Sequence, residues 1–144
     1  MRLIDNLIKK ADKGFTLLEL LIVLIIIGLL AALVGPKLIN RVGESKQKTC
    51  KVQIEMLSTS LDTFRLDTGK YPDEEQGLIA LIEAGDFKNW RGPYLKKKFV
   101  PKDPWGNEFI YKYNSDAREF EIICYGADEA EGGTGDNADI SSAE

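Results

Sequence analysis

From Phe15 to Val34 the chain runs for twenty residues in which only Thr16, Glu19 and Gly28 interrupt an apolar character. As a helix rising about 1.5 Å per residue, the run spans about 30 Å, the thickness of a bilayer's hydrocarbon core. A secretory signal is the rival, but its apolar region is usually about 7 to 15 residues long and ends in a small-x-small cleavage site. Here the run is longer, and "AALVG" is a poor site. Apolar positions then return with helical period at Leu38, Ile39 and Val42, and again at Cys50, Ile54, Leu57, Leu61 and Phe64. The second series, spaced four, three, four and three, predicts an amphipathic helix ending near "DTGKYP", where Gly69 and Pro72 stop it. Between the halves, Gly35-Pro36 predicts a kink or a loosened turn, because Pro36 lacks a backbone donor and clashes with the turn before it.

After Pro72 the elements shorten. "YPDEEQGLIALIEAG" has acids in a first turn and then Leu78, Ile79, Leu81 and Ile82, which predicts a short helix closed by Gly85. "KDPWGN" predicts a turn, with Pro104 suited to its second position and Gly106 to its fourth. In "EFIYKY" the alternating Phe109, Tyr111 and Tyr113 suit one face of a strand. "NSDAR" is a hairpin connection, and "EFEIICYG" is the return strand, with Phe120, Ile122 and Cys124 on one face. "GADEAEGGTGDNADI" is too polar and glycine-rich to predict regular structure. The class is α+β: a long N-terminal helix, membrane-spanning in its first half, packed on a small antiparallel sheet.

Charge and composition narrow the function. The formal net charge is -4, so nothing suggests the basic surface that nucleic acid requires. Arg2, Lys9, Lys10 and Lys13 outweigh Asp5 and Asp12 before Gly14, whereas the stretch from Gly126 to Glu144 carries six acids and no base. The basic leader favours a cytoplasmic N-terminus; Lys37 and Arg41 beyond the apolar run leave that rule undecided on its own. The chain has no histidine, which removes His-based acid/base catalysis, Ser-His-Asp and Cys-His nucleophiles, and His-ligated metals. Two cysteines, Cys50 and Cys124, are too few for a Cys-rich zinc module. They are either two buried thiols or one helix-to-sheet disulfide.

Glu19 is the anomaly of the apolar run. An ionised side chain at mid-bilayer costs roughly 2.5 to 3.5 kcal/mol and usually finds a partner. About one turn inside the helix, it either snorkels to the interface or meets a cation at its own depth. Cleavage between Gly14 and Phe15 would create such a cation, the new α-amino group. A basic leader ending in Gly14, followed by "FTLLELLIVLIIIGLLAALVGP" with Glu19 fifth after the glycine, resembles the class III leader and N-terminal helix of type IV pilins and type II secretion pseudopilins. That resemblance implies a prepilin peptidase that cuts after Gly14 and methylates Phe15. It also implies an apolar helix that survives as membrane anchor and later as filament core, with Glu19 paired to a neighbour's N-terminal amine. The implied division is a cleaved leader at 1–14, a transmembrane and filament-core helix at 15–35, and a periplasmic domain at 36–144 with an acidic loop at 126–140.

The later segments, "YPDEEQGLIALI", "GPYLKK", "PKDPWGNEFIYKY" and "YGADEAEGGTGDNADI" in that order, resemble one branch, the major pseudopilins of type II secretion. Taken alone, the last of them is either a solvated acidic loop or a site for a hard cation, since Ca²⁺ takes about six to eight oxygens from carboxylates and carbonyls. The resemblance implies structural calcium held by Asp128 and Asp139, with Asn137 or Asp136 as further donors and the carbonyls of Tyr125 and Ala130 as helpers; Glu129 stands where the family often has glycine. It implies no enzyme but a homopolymer stored in the inner membrane as a single-pass protein. Its expected partners are minor pseudopilins, the prepilin peptidase, a cytoplasmic ATPase and an inner-membrane assembly platform, and the filament helps push folded proteins through an outer-membrane secretin. The rival readings are a type IV pilin for adhesion, motility or DNA uptake, and a membrane-anchored periplasmic enzyme.

Overall fold

The computed structural model describes residues 14–143, and for residues 37–40 the backbone alone. Apart from Gly14, the expected leader therefore lies outside the described residues. The chain divides into two units, 1–39 and 40–144. The helical assignment of α1, Leu17–Thr68, runs through both and carries Pro36 inside it.

Among the described residues of the first unit nothing covers the helix. Large apolar side chains are exposed around its whole circumference, from Leu17 at 92% through Ile22 at 47% to Leu33 at 75%. By length and composition this helix could cross a membrane, and a helix apolar on every side belongs in lipid or in a bundle of its own kind.

The second unit is built on the stripe that the sequence predicts. Cys50, Ile54, Leu57, Leu61 and Phe64 are all buried, and burying each of the larger ones stabilises the domain by about 1.5 to 3 kcal/mol. Phe64 is the hub, with the Phe87 ring edge-on at 4.8 Å and Tyr94 at 5.5 Å. The helix stops where expected. Gly69 adopts a left-handed φ of 87° and donates its N–H to the Arg65 carbonyl at 2.7 Å, an αL cap.

The next element departs from expectation. The segment beginning at Gly77 is not an α-helix reaching Gly85 but a single 3-10 element, α2, at Gly77–Leu81. Gly77 has a φ of 52°, which breaks the right-handed path just after the expected first turn. A nucleus that short has little to offset its cost, while a three-residue repeat still delivers Leu78 and Leu81 to the core. Trp90 closes over it by donating its indole N–H to the Ala80 carbonyl at 2.9 Å. The "DPWG" turn forms as predicted, with the Gly106 N–H donating to the Asp103 carbonyl at 3.0 Å.

Three antiparallel strands complete the unit in the order β1 (Ile110–Asn114), β2 (Glu119–Cys124) and β3 (Ile140–Ser141). The hairpin register pairs Tyr111 with Ile122 and Tyr113 with Phe120, so the predicted alternation faces the helix stripe. The third strand is a correction to the unstructured reading of the C-terminal stretch. Ile123 pairs with Ser141 and Cys124 with Ile140, because Ile140 has an apolar side chain that joins the core margin. A short 3-10 turn, α3, at Gly135–Asn137 precedes it.

Tyr111 shows how the sheet is tied to the turn after α1. Its hydroxyl donates to the Pro72 carbonyl at 2.8 Å, and burial, followed by neighbouring Tyr113, Tyr71, Asp73 and Glu74, pushes its phenol well above the usual tyrosine range. A raised folded pKa gives stability that is complete below the unfolded value near 10 and is lost as pH climbs past it. Urea melts of the chain should therefore hold steady to about pH 9.5 and weaken above pH 10, and Tyr111→Phe should flatten that decline while costing about 1 kcal/mol at neutral pH.

Candidate functional site

Two places carry the chemistry that the sequence singles out, one in each unit. At the start of α1, the Glu19 backbone N–H donates to Thr16 Oγ1 at 3.2 Å, and the Thr16 backbone N–H donates to Glu19 Oε2 at 3.4 Å. Thr16 and Glu19 are thus a reciprocal capping box, which satisfies two of the amide groups that every helix start leaves without partners. The spacing T-x-x-E before an apolar run is a signal for this device, and the sequence reading of Glu19 missed it. Gly14 lies before the helix and is exposed, as is Phe15 at 80%, so the Gly14–Phe15 bond is presented at the helix mouth.

In the second unit, the C-terminal stretch is a closed loop. Its neck is the Ala127 N–H donating to the Asp136 carbonyl at 2.9 Å, and its end is pinned by β3. The Ser142 N–H donates to the Ile122 carbonyl at 2.9 Å, and the Ile122 N–H donates to Ser142 Oγ at 2.9 Å. The loop also holds α1. The Asp136 carboxylate lies directly against Gly43, where any Cβ would collide with it, and one turn further along Gln47 donates its side-chain amide to the Gly135 carbonyl. Sequence reasoning did not find Gly43 or Gln47; a single Gly or Gln on a helix carries no local mark of a long-range contact.

The residues expected to hold a cation are placed as follows. Asp139 Oδ2 accepts the Gly132 N–H at 2.8 Å, and its Oδ1 is buried with no partner among the described residues. Asp128 Oδ1 accepts the Ala130 N–H at 3.3 Å. Asn137 lies at the crossing of the loop, its backbone close against Gly126 and Gly133. Asp136 is directed to Gly43 instead. Tyr125 directly follows β2, beside the neck of the loop. Among the described residues no three Asp, Glu, Cys or His side chains converge, so any cation here would draw on at most two carboxylates and otherwise on carbonyl oxygens. That donor set suits Ca²⁺, and the unpartnered Asp139 oxygen is the atom such an ion would satisfy.

Glu129 sits at φ 56°, in the left-handed region. A side chain there is strained, and a glycine would relieve it.

A capped, all-round apolar N-terminal helix together with a small α+β domain defines a pilin-like subunit. Residues 9–35 match the prokaryotic N-terminal methylation motif, and residues 37–143 match the family of type II secretion system (T2SS) protein G. The type II secretion system core protein G of Pseudomonas aeruginosa is 38% identical over 139 residues, 93% of this chain and 96% of that one. The protein of the same name from Vibrio cholerae is 39% identical over 137 residues, 92% of each. The crystal structure of the major pseudopilin from the type 2 secretion system of enterohaemorrhagic Escherichia coli superimposes with a TM-score of 0.59 at 28% identity, covering 74% of this chain and 94% of that one. The chain belongs to the type II secretion system protein G family.

Gly126 and Glu129 give opposite tests of the loop. Gly126 has φ +70°, and a Cβ there would lie 2.7 Å from the Asp136 carbonyl oxygen. Gly126→Ala should therefore destabilise the domain by about 1 to 3 kcal/mol, whereas Glu129→Gly should stabilise it by about 1 kcal/mol, both read as shifts in the urea midpoint.

Proposed function

We propose that this chain is the major structural subunit of a type II secretion pseudopilus, a homopolymer that grows from the inner membrane and helps drive folded proteins through an outer-membrane secretin. The observation that carries this reading is the contiguity of an N-terminal methylation motif at 9–35 with the protein G family match at 37–143. A type IV pilin would share the first and not the second. In this role the subunit catalyses nothing. It presents a processing site, an anchor and a docking register.

The precursor sits in the inner membrane by α1, with the second unit in the periplasm. Prepilin peptidase cuts after Gly14 and methylates Phe15, and minor pseudopilins and the membrane assembly platform take up the product. Glu19 then selects register. Inside a bundle of apolar helices an unpaired carboxylate or amine is costly, so a subunit docks where its Glu19 meets the N-terminal amine of a neighbour. Before docking, the Thr16 hydroxyl and N–H hold the Glu19 side of the helix start in cis.

The experiment is a pair of substitutions in cells that secrete by this route. Gly14→Val should leave a precursor of unprocessed mass and abolish export; efficient processing with normal export would refute the assignment. Glu19→Ala should insert and be cleaved normally but form no filaments, and normal filaments would remove the ion pair from the account.

The acidic loop is proposed to hold one structural Ca²⁺. The Asp128 and Asp139 carboxylates would bind it, joined by Asn137 and by the carbonyls of Tyr125 and Ala130; Asp136 would have to leave Gly43 to contribute. The ion would supply charge neutralisation to a loop that has little core of its own. Added Ca²⁺ should raise the melting temperature by several degrees over EDTA, as expected for a ligand well above its Kd. Asp139→Asn should erase that difference, and coincident melts of the unchanged chain in Ca²⁺ and EDTA would eliminate the site.

A further inference from the structure

Two buried thiols and a buried carboxylate meet in the second unit, and the proposed function uses none of them. Cys50 lies on the buried stripe of α1 and Cys124 ends β2; both have 0% exposure, and both are free. Both belong to one buried core cluster, in which each thiol is a neighbour that shifts the titration of the other. The Cys124 thiol also donates to Asp103 Oδ2 at 3.3 Å.

Asp103 is fixed by the turn it opens. Its Oδ1 accepts the backbone N–H groups of Trp105 at 2.9 Å and Asn107 at 2.8 Å, and its own N–H donates to the Asn107 carbonyl at 2.9 Å. A turn aspartate needs one oxygen for that work and ordinarily gives the other to water. Here the second oxygen is turned inward onto a sulfur, with the residue only 6% exposed. The neighbouring Cys124 thiol, then burial, then the charges of Cys124 and Asp103 push the Cys50 thiol far up, so Cys50 keeps its proton until a partner takes it.

We propose that Cys50 and Cys124 form a thiol–disulfide exchange site, and that in the exported chain they are joined as a disulfide clamping α1 to β2. The exported state rests on the reading that the second unit faces the periplasm, where protein and small-molecule disulfides are the oxidants. Cys124 passes its proton to Asp103 Oδ2 and attacks one sulfur of the external disulfide R–S–S–R. A Cys124–S–S–R bond forms, and RS⁻ leaves and takes up that proton. Cys50, losing its proton, then attacks the Cys124 sulfur; the Cys50–Cys124 bond forms, and the second RS⁻ leaves with the Cys50 proton. The two protein thiols lose two electrons, and one external disulfide is reduced to two thiols. The second step is intramolecular, between two residues that the native core gathers into one cluster, which favours it. Both sulfurs are shielded in the folded domain, so exchange proceeds during folding or local opening, and the closed product is protected from reductants.

The test uses the full-length chain in detergent, equilibrated with mixed oxidised and reduced glutathione, then denatured in N-ethylmaleimide and mapped by non-reducing mass spectrometry. A linked Cys50–Cys124 peptide with neither cysteine labelled is expected, together with a melting temperature on the order of 10 °C above the reduced form. Cys50→Ser should show no redox-dependent shift. Two labelled cysteines, or glutathione retained on one of them, would overturn the exchange site. The same mapping on chain trapped directly from cells should give the linked peptide, and free thiols there would overturn the exported disulfide. Protease digestion of spheroplasts reports orientation separately: a protected domain would refute the periplasmic placement, while the glutathione result still decides the chemistry.

Discussion

A helix that is apolar around its entire circumference has no stable place in water, and the rest of this structure is arranged around that constraint. From Phe15 to Val34 the large aliphatic and aromatic side chains are exposed, at a cost of about 25 cal/mol for each Å² left in water. Only two environments relieve it, lipid and the flanks of identical helices. A chain that can exchange one for the other can be stored in a membrane and drawn into a polymer without refolding. The driving force for that exchange is small, since lipid tails are as apolar as leucine. Specificity must therefore come from the few polar groups in the segment, which are Thr16 and Glu19 near its start.

The second unit has a different economy. It is small, its sheet has three strands, and the last of these is two residues long. Such a domain depends on long-range ties to compensate for a modest core. The buried stripe of α1 is one tie. The C-terminal loop is another, reaching back to Gly43 and Gln47 on α1 while its end extends the sheet beside Cys124. A loop that reads as solvated acid in composition is in this way the link between the helix and the far edge of the sheet.

Much of the fold was legible in the sequence because it is written in periodicity. The spacing of Cys50, Ile54, Leu57, Leu61 and Phe64, the stop at Gly69 and the alternation of Tyr111 and Tyr113 all carry their geometry locally. What escaped depends on backbone signs or on distant partners. Gly77 turns an α-helix into one 3-10 turn through a positive φ that composition does not reveal. β3 consists of Ile140 and Ser141, too short to show an alternation, and exists only because β2 offers an open edge. At the candidate sites, Asp128 and Asp139 could be named from a family pattern. The inward turn of Asp103 and the contact of Asp136 with Gly43 could not, since each is set by a partner far along the chain.

The capping box changes how Glu19 should be understood. Viewed as a lone carboxylate in lipid it is a defect awaiting a partner. Bonded to Thr16, it already stabilises the start of the helix, so the monomer is not penalised in full while it waits in the membrane. The bond from the Thr16 N–H is long, at 3.4 Å, and joins a carboxylate to a neutral donor. The amine proposed as its partner would offer a full positive charge in a medium of low dielectric, where two opposite charges attract more strongly than a carboxylate and a neutral donor. In the proposed assembly the cis contact would lower the cost of storage and still yield on docking. Because the Glu19 N–H bonds to the Thr16 hydroxyl rather than to the carboxylate, half of the cap would persist if the carboxylate turned to the proposed partner. The helix start need not unravel for the subunits to lock.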